Sequence, residues 1–181
     1  MDTASQTIKF NAFDTRRNLP PKTGRKRGEL LFLSSFEKAF TQKRPGVGGK
    51  QFQLSGYGVA DFIWVDIDEG VETGSVPLIS AFELKLTNWK RALSQAYRYS
   101  YFADKAYVVM PKEQAKAAID NKQLFRKLQI GLMVFDQEDG TIETIHAPKK
   151  STPRNSLARE KAMDLLQQKL KFRQLLESFD A

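Results

Sequence analysis

Residues 79–86 read Ile-Ser-Ala-Phe-Glu-Leu-Lys-Leu, and this stretch decides the fold that the sequence predicts. Residues two apart in a β-strand point to the same face of the sheet. Glu83 and Lys85 therefore project together, whereas three apolar neighbours point the other way into packing: Phe82, Leu84 and Leu86. Charged side chains in the middle of an apolar strand are costly unless something uses them. The alternative is a surface ion pair on an exposed strand face, which is common and contributes little.

A second carboxylate occurs in the preceding predicted strand. Residues 58–64 read Gly-Val-Ala-Asp-Phe-Ile-Trp, within a stretch whose clearest strand is 59–67. The segment 68–74 has the acidic and glycine composition of a turn, and the strand 77–86 follows it. If the two strands pair as a hairpin, Asp61 lies across from Glu83.

The three residue types suit one kind of chemistry. Hydrolysis of a phosphodiester needs an activated water and neutralisation of charge on the phosphate. Mg²⁺ or Mn²⁺ held by Asp61 and Glu83 would do much of this. Lys85 would stabilise the charge of the transition state or orient the attacking water.

Composition narrows the possible functions. The 181 residues include no cysteine and a single histidine, His146, so thiolate catalysis and histidine-cluster metal sites are excluded. We expect His146 to be a surface or capping residue. The formal net charge of +8 favours a polyanionic partner. No apolar run approaches the length of a membrane span and no secretion signal is recognisable, so the expected location is cytoplasmic, without a membrane partner.

The rest of the chain predicts a mixed α/β domain, with helices flanking a central mixed β-sheet. The predicted helices are residues 28–41, 88–104, 112–128 and 156–179, and the further strands are 107–110, 131–135 and 141–145. The glycine-rich residues 45–49 are expected to break the chain after the first helix, and 46–49 lack the ending of a phosphate-binding loop. The predicted organisation is a basic N-terminal arm (1–27), a core domain (28–147) and a C-terminal helix (148–181) that packs on the domain or dimerises.

Asp61 followed by Glu83-Leu84-Lys85 resembles the Asp…(Asp/Glu)-x-Lys signature of the PD-(D/E)XK, or restriction-endonuclease-like, nucleases. Ala60 stands at the position of the signature's proline, which members of the family often lack. The resemblance covers about residues 28–135 and implies a restriction-endonuclease-like core. It also implies a Mg²⁺- or Mn²⁺-dependent deoxyribonuclease with Asp61 and Glu83 as metal ligands.

The resemblance also implies a glutamate from the first helix. Glu29 falls in the centre of that helix's apolar face at about 100° per residue, where a carboxylate needs a partner such as a metal ion. Glu37, at the edge of the face, is the lesser candidate. For Glu29 the alternative is a favourable interaction with the helix N-terminus.

The helix after the lysine strand contains Gln95-Ala-Tyr-Arg-Tyr99, which is similar to the Gln-x-x-x-Tyr motif of recombination-type nucleases. Gln95 would orient the site or a phosphate, and Tyr99 would contact a phosphate. The alternative is the ordinary polar rim of an amphipathic helix. Other expected DNA contacts are basic residues: Lys26, Arg27, Arg91 and Arg98. The Lys22–Arg27 run also fits a solvated loop.

The sequence therefore predicts an endonuclease of the restriction, recombination or mobile-element-defence type. DNA would be its partner, bound mainly through salt-dependent contacts. Cutting two strands needs two centres, so a homodimer or a partner subunit is expected. The alternatives are a non-catalytic nucleic-acid-binding module that keeps the fold and an assembly subunit.

Overall fold

A computed structural model describes residues 6–7, 27–42, 44–66, 77–149 and 152–168, and the structural statements below refer to these residues. The strands are β1 (Gln6–Thr7), β2 (Gly46–Leu54), β3 (Gly58–Asp66), β4 (Leu78–Leu84), β5 (Lys105–Pro111), β6 (Gly131–Phe135) and β7 (Ile142–His146). The helices are α1 (Arg27–Thr41), α2 (Trp89–Tyr99), α3 (Lys116–Asp120), α4 (Lys122–Leu128) and α5 (Ser156–Gln167), and a single 3-10 turn spans Lys112–Gln114.

The six strands β2 to β7 form one mixed sheet in sequence order, and the two-residue β1 extends it beside β2. Antiparallel pairing joins β2, β3 and β4, parallel pairing joins β4, β5 and β6, and β7 returns antiparallel to β6. Parallel neighbours need a crossover connection, and α2 and the pair α3–α4 supply the two that are required. The predicted α/β class with helices around a mixed sheet is confirmed.

The predicted hairpin is also confirmed. In the antiparallel register of β3 with β4, Phe62 is opposite Phe82 and Val65 is opposite Ile79. The predicted turn at 68–74 lies outside the described residues.

The sheet separates two hydrophobic cores. One face packs against α1 and is rich in phenylalanine: Phe32, Phe36, Phe40, Phe62, Phe82 and Phe135 are all buried there. The other face packs against α2, α3, α4 and α5, whose small residues allow close approach: Ala92, Ala96, Ala118, Ala158 and Ala162. As predicted, Phe82 and Leu84 lie in the first core and Leu86 packs against it.

A buried group of hydrogen bonds and one ion pair connects the turn after α2 with β4 and α5. Asp104, buried in the turn after α2, accepts a hydrogen bond of 2.8 Å from the backbone N–H of Ile79 at the start of β4. Arg159 of α5 lies 3.3 Å from the same carboxylate and donates to the carbonyl oxygen of Pro77 at 2.9 Å. Within the described residues α5 therefore packs on the domain.

Three element boundaries differ from the prediction. Residues 46–49 follow the end of the first helix as predicted, but they belong to a strand, because β2 begins at Gly46. The ring of Trp64 lies across this part of β2, and a Cβ built at Gly48 would overlap the Ile63 carbonyl oxygen and lie 2.6 Å from Trp64 Cε3. Glycine here serves close packing in a strand.

The predicted helix 112–128 is instead a 3-10 turn and two short helices. Asn121 separates α3 from α4, and its side-chain amide donates to the Ala117 carbonyl oxygen at 2.8 Å. Such local side-chain bonds compete with helix continuation. The predicted helix 88–104 ends at Tyr99. The predicted helix 156–179 is described as Ser156–Gln167, and its remainder lies outside the described residues.

Candidate active site

Two fully buried carboxylates come from neighbouring strands. Asp61 in β3 and Glu83 in β4 are both 0% exposed. The last regular pair between the strands is Phe62 with Phe82, so the next position places Asp61 across from Glu83. There the Asp61 carboxylate, and not the β3 backbone, accepts the N–H of Leu84 at 2.9 Å. The end of β4 is therefore held by a side chain of the site.

Lys85 comes directly after the end of β4, and its backbone is hydrogen-bonded to the neighbouring strand β5. Its backbone N–H donates to the Val109 carbonyl oxygen of β5 at 3.1 Å. Its ammonium nitrogen lies 3.4 Å from Glu83 Oε1, and the side chain is 15% exposed. Lys85 thus joins the buried carboxylate to the edge of the site, where a ligand could reach the ammonium group.

Tyr99 of α2 closes the inner side of the centre. It is 1% exposed, and its hydroxyl oxygen lies 2.6 Å from Glu83 Oε2 and 2.7 Å from the Val59 carbonyl oxygen. Burial, and then the negative charges of Glu83 and Asp61, raise the pKa of Tyr99 well above its ordinary value. Tyr99 is therefore a neutral hydrogen-bond donor at neutral pH, with both carboxylates close to its hydroxyl.

The burial of Tyr99 corrects one expectation. The sequence predicted that Tyr99 contacts a phosphate, but its hydroxyl points inward and contacts protein acceptors. Tyr99 reaches Glu83 because it belongs to the buried face of α2. Gln95 lies one helical turn before Tyr99, on the same side of the helix.

Gln95 precedes Tyr99 by one turn of α2. Its Oε1 is buried and has no hydrogen-bond partner among the described residues. A buried polar atom without a partner costs about 1–3 kcal/mol, so this amide oxygen could accept a donor that the described residues do not supply. Arg91, one further turn toward the start of α2, is exposed.

The backbone of β2 is distorted opposite Asp61. Lys50 pairs with Phe62 and Phe52 pairs with Ala60 in one continuous register, which places Gln51 opposite Asp61. Gln51 has a φ of 59°, in the left-handed region that costs a non-glycine residue about 1–2 kcal/mol. Backbone strain of this kind clusters at functional sites. Neither the composition nor the periodicity of the sequence indicated it.

The first helix approaches the site from the other face of the sheet. Glu29 is half-buried in the first turn of α1, on the same stripe as Phe32, Leu33 and Phe36. A Cβ built at Gly28 would lie 3.4 Å from Leu86 Cδ1, so α1 begins beside the end of β4. Glu29 makes no hydrogen bond or ion pair within the described part of the chain.

Glu37 belongs to a different contact. Its carboxylate pairs with Lys50 Nζ at 2.8 Å. This ion pair ties α1 to β2, and Glu37 is not brought to Asp61 and Glu83.

Mg²⁺ or Mn²⁺ fits the donors that are present, although the described residues contain no group of three or more Asp, Glu or His side chains able to hold an ion. Mg²⁺ is commonly bound through one or two carboxylates and keeps several waters. Asp61 and Glu83 supply hard oxygen donors, and the unpaired Gln95 Oε1 could accept a hydrogen bond from a bound water.

The basic residues expected to bind DNA are distributed unevenly. Arg91 and Arg98 are exposed on α2, a helix without acidic residues, and Arg27 is exposed at the start of α1. Lys26 lies outside the described residues.

His146 is half-buried on β7, at the far side of the sheet from β3. Its pKa is lowered by burial and by the nearby charge of Arg126, and it takes no part in the centre.

Comparison with protein-family models, with curated proteins and with solved structures finds no significant match to this chain. In the described portion, every helix is too short or too polar to cross a membrane.

Proposed function

We propose that the chain is a metal-dependent deoxyribonuclease with a PD-(D/E)XK-type centre in a restriction-endonuclease-like core. The observation that carries the proposal is the pair of completely buried carboxylates, Asp61 and Glu83, on adjacent strands with Lys85 at their open side. Buried charges are rare unless they are paired or coordinate a metal ion.

Each residue has a distinct role in this proposal. Asp61 and Glu83 would hold Mg²⁺ or Mn²⁺, which would supply Lewis-acid chemistry and a more acidic water. Lys85 would offset the negative charge that develops on the phosphate during attack. Gln95 would orient the attacking water through its amide oxygen, and Glu29 would assist from the start of α1 through a further water.

Substrate binding follows from the charge of the protein. The net charge of +8 and the exposed Arg27, Arg91 and Arg98 favour a DNA backbone. Because one centre cuts one strand, a homodimer or a partner subunit would supply the second centre for double-strand cleavage.

The test is cleavage of supercoiled plasmid and of branched DNA with Mg²⁺ or Mn²⁺. Glu83→Gln and Lys85→Ala should each lower the rate at least ~100-fold, equal to about 2.7 kcal/mol of barrier. Glu143→Gln is the matched control, because Glu143 is an exposed glutamate on β7, and it should cut like wild type. Variants at Glu83 and Lys85 that cut as fast as wild type would show that this centre is not catalytic.

Metal binding separates the proposal from its main alternative. Titration calorimetry should detect Mg²⁺ or Mn²⁺ binding to wild type and its loss in Asp61→Asn. A protein that binds DNA without taking up metal or cutting any substrate would be a binding module that keeps the fold.

A further inference from the structure

Three half-buried tyrosines lie together at the C-terminal end of α2, away from the carboxylates. The rings of Tyr57 and Tyr101 are 5.8 Å apart and tilted by 33°, and the rings of Tyr97 and Tyr101 are 6.1 Å apart and nearly perpendicular. Tyr57 comes from the turn between β2 and β3, and the other two come from the end of α2. We call this group the tyrosine ledge.

The ledge is held by contacts to the rest of the fold. Tyr57 and Tyr97 pack against the hydrophobic core, and Tyr101 rests on their rings. Asn155 donates its side-chain amide to the Tyr57 hydroxyl at 3.0 Å and its backbone N–H to the Tyr101 carbonyl oxygen at 3.0 Å. Rings fixed in this way lose little conformational freedom when a ligand binds.

The charged side chains within the segments that build the tyrosine ledge are both arginines. The guanidinium of Arg154 lies 4.9 Å from the centre of the Tyr97 ring, and Arg98 and Arg154 are both exposed. The segments that build the ledge, residues 55–57, 97–101 and 152–155, contain these two arginines and no carboxylate. Arg154 also donates its Nε to the Ser100 hydroxyl oxygen at 3.1 Å, which holds its charge beside the rings. Aromatic rings beside exposed arginines suit a ligand that has both planar faces and negative charge.

We propose that the tyrosine ledge stacks unpaired bases of a DNA strand whose backbone continues to the carboxylate centre. Bases in an intact duplex are stacked on each other and do not offer their faces, whereas unpaired bases stack on aromatic side chains. The inference rests on the proposed function and adds the substrate class. The preferred DNA carries a single-stranded segment next to the scissile phosphate.

The carboxylate centre and the tyrosine ledge lie along the same helix, α2, so one DNA strand could contact both. Tyr99 points inward to Glu83, while its neighbour Arg98 is exposed on the outer side. From Gln95 to its last residue, Tyr99, the helix rises by about 6 Å, and Tyr101 lies in the turn that follows, so a DNA strand bound at the centre reaches the tyrosine ledge within a few nucleotides.

The experiment measures DNA binding without metal, in EDTA, so that cleavage is not needed. Fluorescence anisotropy compares a labelled oligo(dT) of about 20 nucleotides with a duplex of equal length. Tyr101→Ala should weaken oligo(dT) binding roughly ten-fold, since stacking on an aromatic ring contributes that much per base. Tyr101→Phe, which keeps the ring, should stay within about two-fold of wild type. Duplex binding should be unaffected by either change.

A second measurement uses only the wild-type protein and so does not depend on how the variants fold. An abasic strand of the same length keeps the phosphates and lacks the bases, and it should bind roughly ten-fold more weakly than oligo(dT). Two results would overturn the proposed base stacking even if the protein cuts DNA. One is equal binding of the abasic strand and oligo(dT), and the other is unchanged oligo(dT) binding by Tyr101→Ala. Ring-dependent binding by a protein that never cuts would keep the ledge and refute the nuclease.

Discussion

Replacement of Tyr99 by phenylalanine tests how the carboxylate centre is held. The change removes one oxygen atom, which lies 2.6 Å from Glu83 Oε2 and 2.7 Å from the Val59 carbonyl oxygen. The one hydroxyl proton that these two buried acceptors share is then lost, which should lower the free energy of unfolding by about 1–3 kcal/mol. Because Glu83 is the proposed metal ligand, loss of the group that orients it should also reduce metal affinity and activity roughly 10- to 100-fold.

Two measurements separate these effects. Urea denaturation followed by tryptophan fluorescence gives the free energy of unfolding, and cleavage rates over a Mg²⁺ titration give the metal dependence. A purely structural loss would leave the Mg²⁺ midpoint unchanged, whereas loss of Glu83 positioning should move it to higher concentration. Tyr107→Phe is the matched control, because it removes the same atom from a buried tyrosine in the other hydrophobic core.

A specific result would refute this reasoning. If Tyr99→Phe unfolds at the wild-type urea concentration and cuts with the wild-type Mg²⁺ midpoint, the hydroxyl does not hold Glu83. The contribution of the Gln-x-x-x-Tyr motif would then have to lie elsewhere.

Three further predictions concern stability. Gly48→Ala should lower the free energy of unfolding by about 1–3 kcal/mol in urea denaturation, because the added methyl group collides with backbone and with Trp64; wild-type stability would show that the strand can shift. Asp104→Asn should cost about 1.5–3 kcal/mol by the same measurement, since a charged acceptor of a buried N–H and the partner of Arg159 are both lost. Burial raises the pKa of Tyr107 to about 12, so its contribution to stability is complete below pH ~10 and is lost as the pH rises toward ~12. Unfolding measured across that pH range should show a smaller decline for Tyr107→Phe than for wild type.

The proposed binding of single-stranded DNA and the carboxylate centre both depend on the position of α2. One helix carries Tyr99 on its inner side against Glu83 and Arg91 and Arg98 on its outer side. Movement of α2 would therefore alter both the carboxylate centre and the proposed contact with the DNA backbone. A substrate that orders the outer side of the helix would also stabilise the position of Tyr99.

Much of the fold could be predicted because the local signals are strong. The alternation in residues 79–86 assigns Glu83 to one face and Phe82 and Leu84 to the other, and burial follows that assignment. The hairpin register follows from the same alternation, since a slip by one residue would expose the apolar face. Boundaries failed where side chains distant in sequence decide them, as when Trp64 packs over the glycines of β2.

The sequence by itself determined the residue types of the centre, the strands that carry them and the net positive charge of the protein. Only the tertiary structure decided how Asp61 is used, because its bond to the Leu84 N–H depends on two strands separating at that point. The tertiary structure likewise decided three other features: the inward direction of Tyr99, the left-handed backbone of Gln51 and the grouping of Tyr57 with Tyr101. Each depends on contacts between segments far apart in the chain, and periodicity within one segment carries no information about such distances.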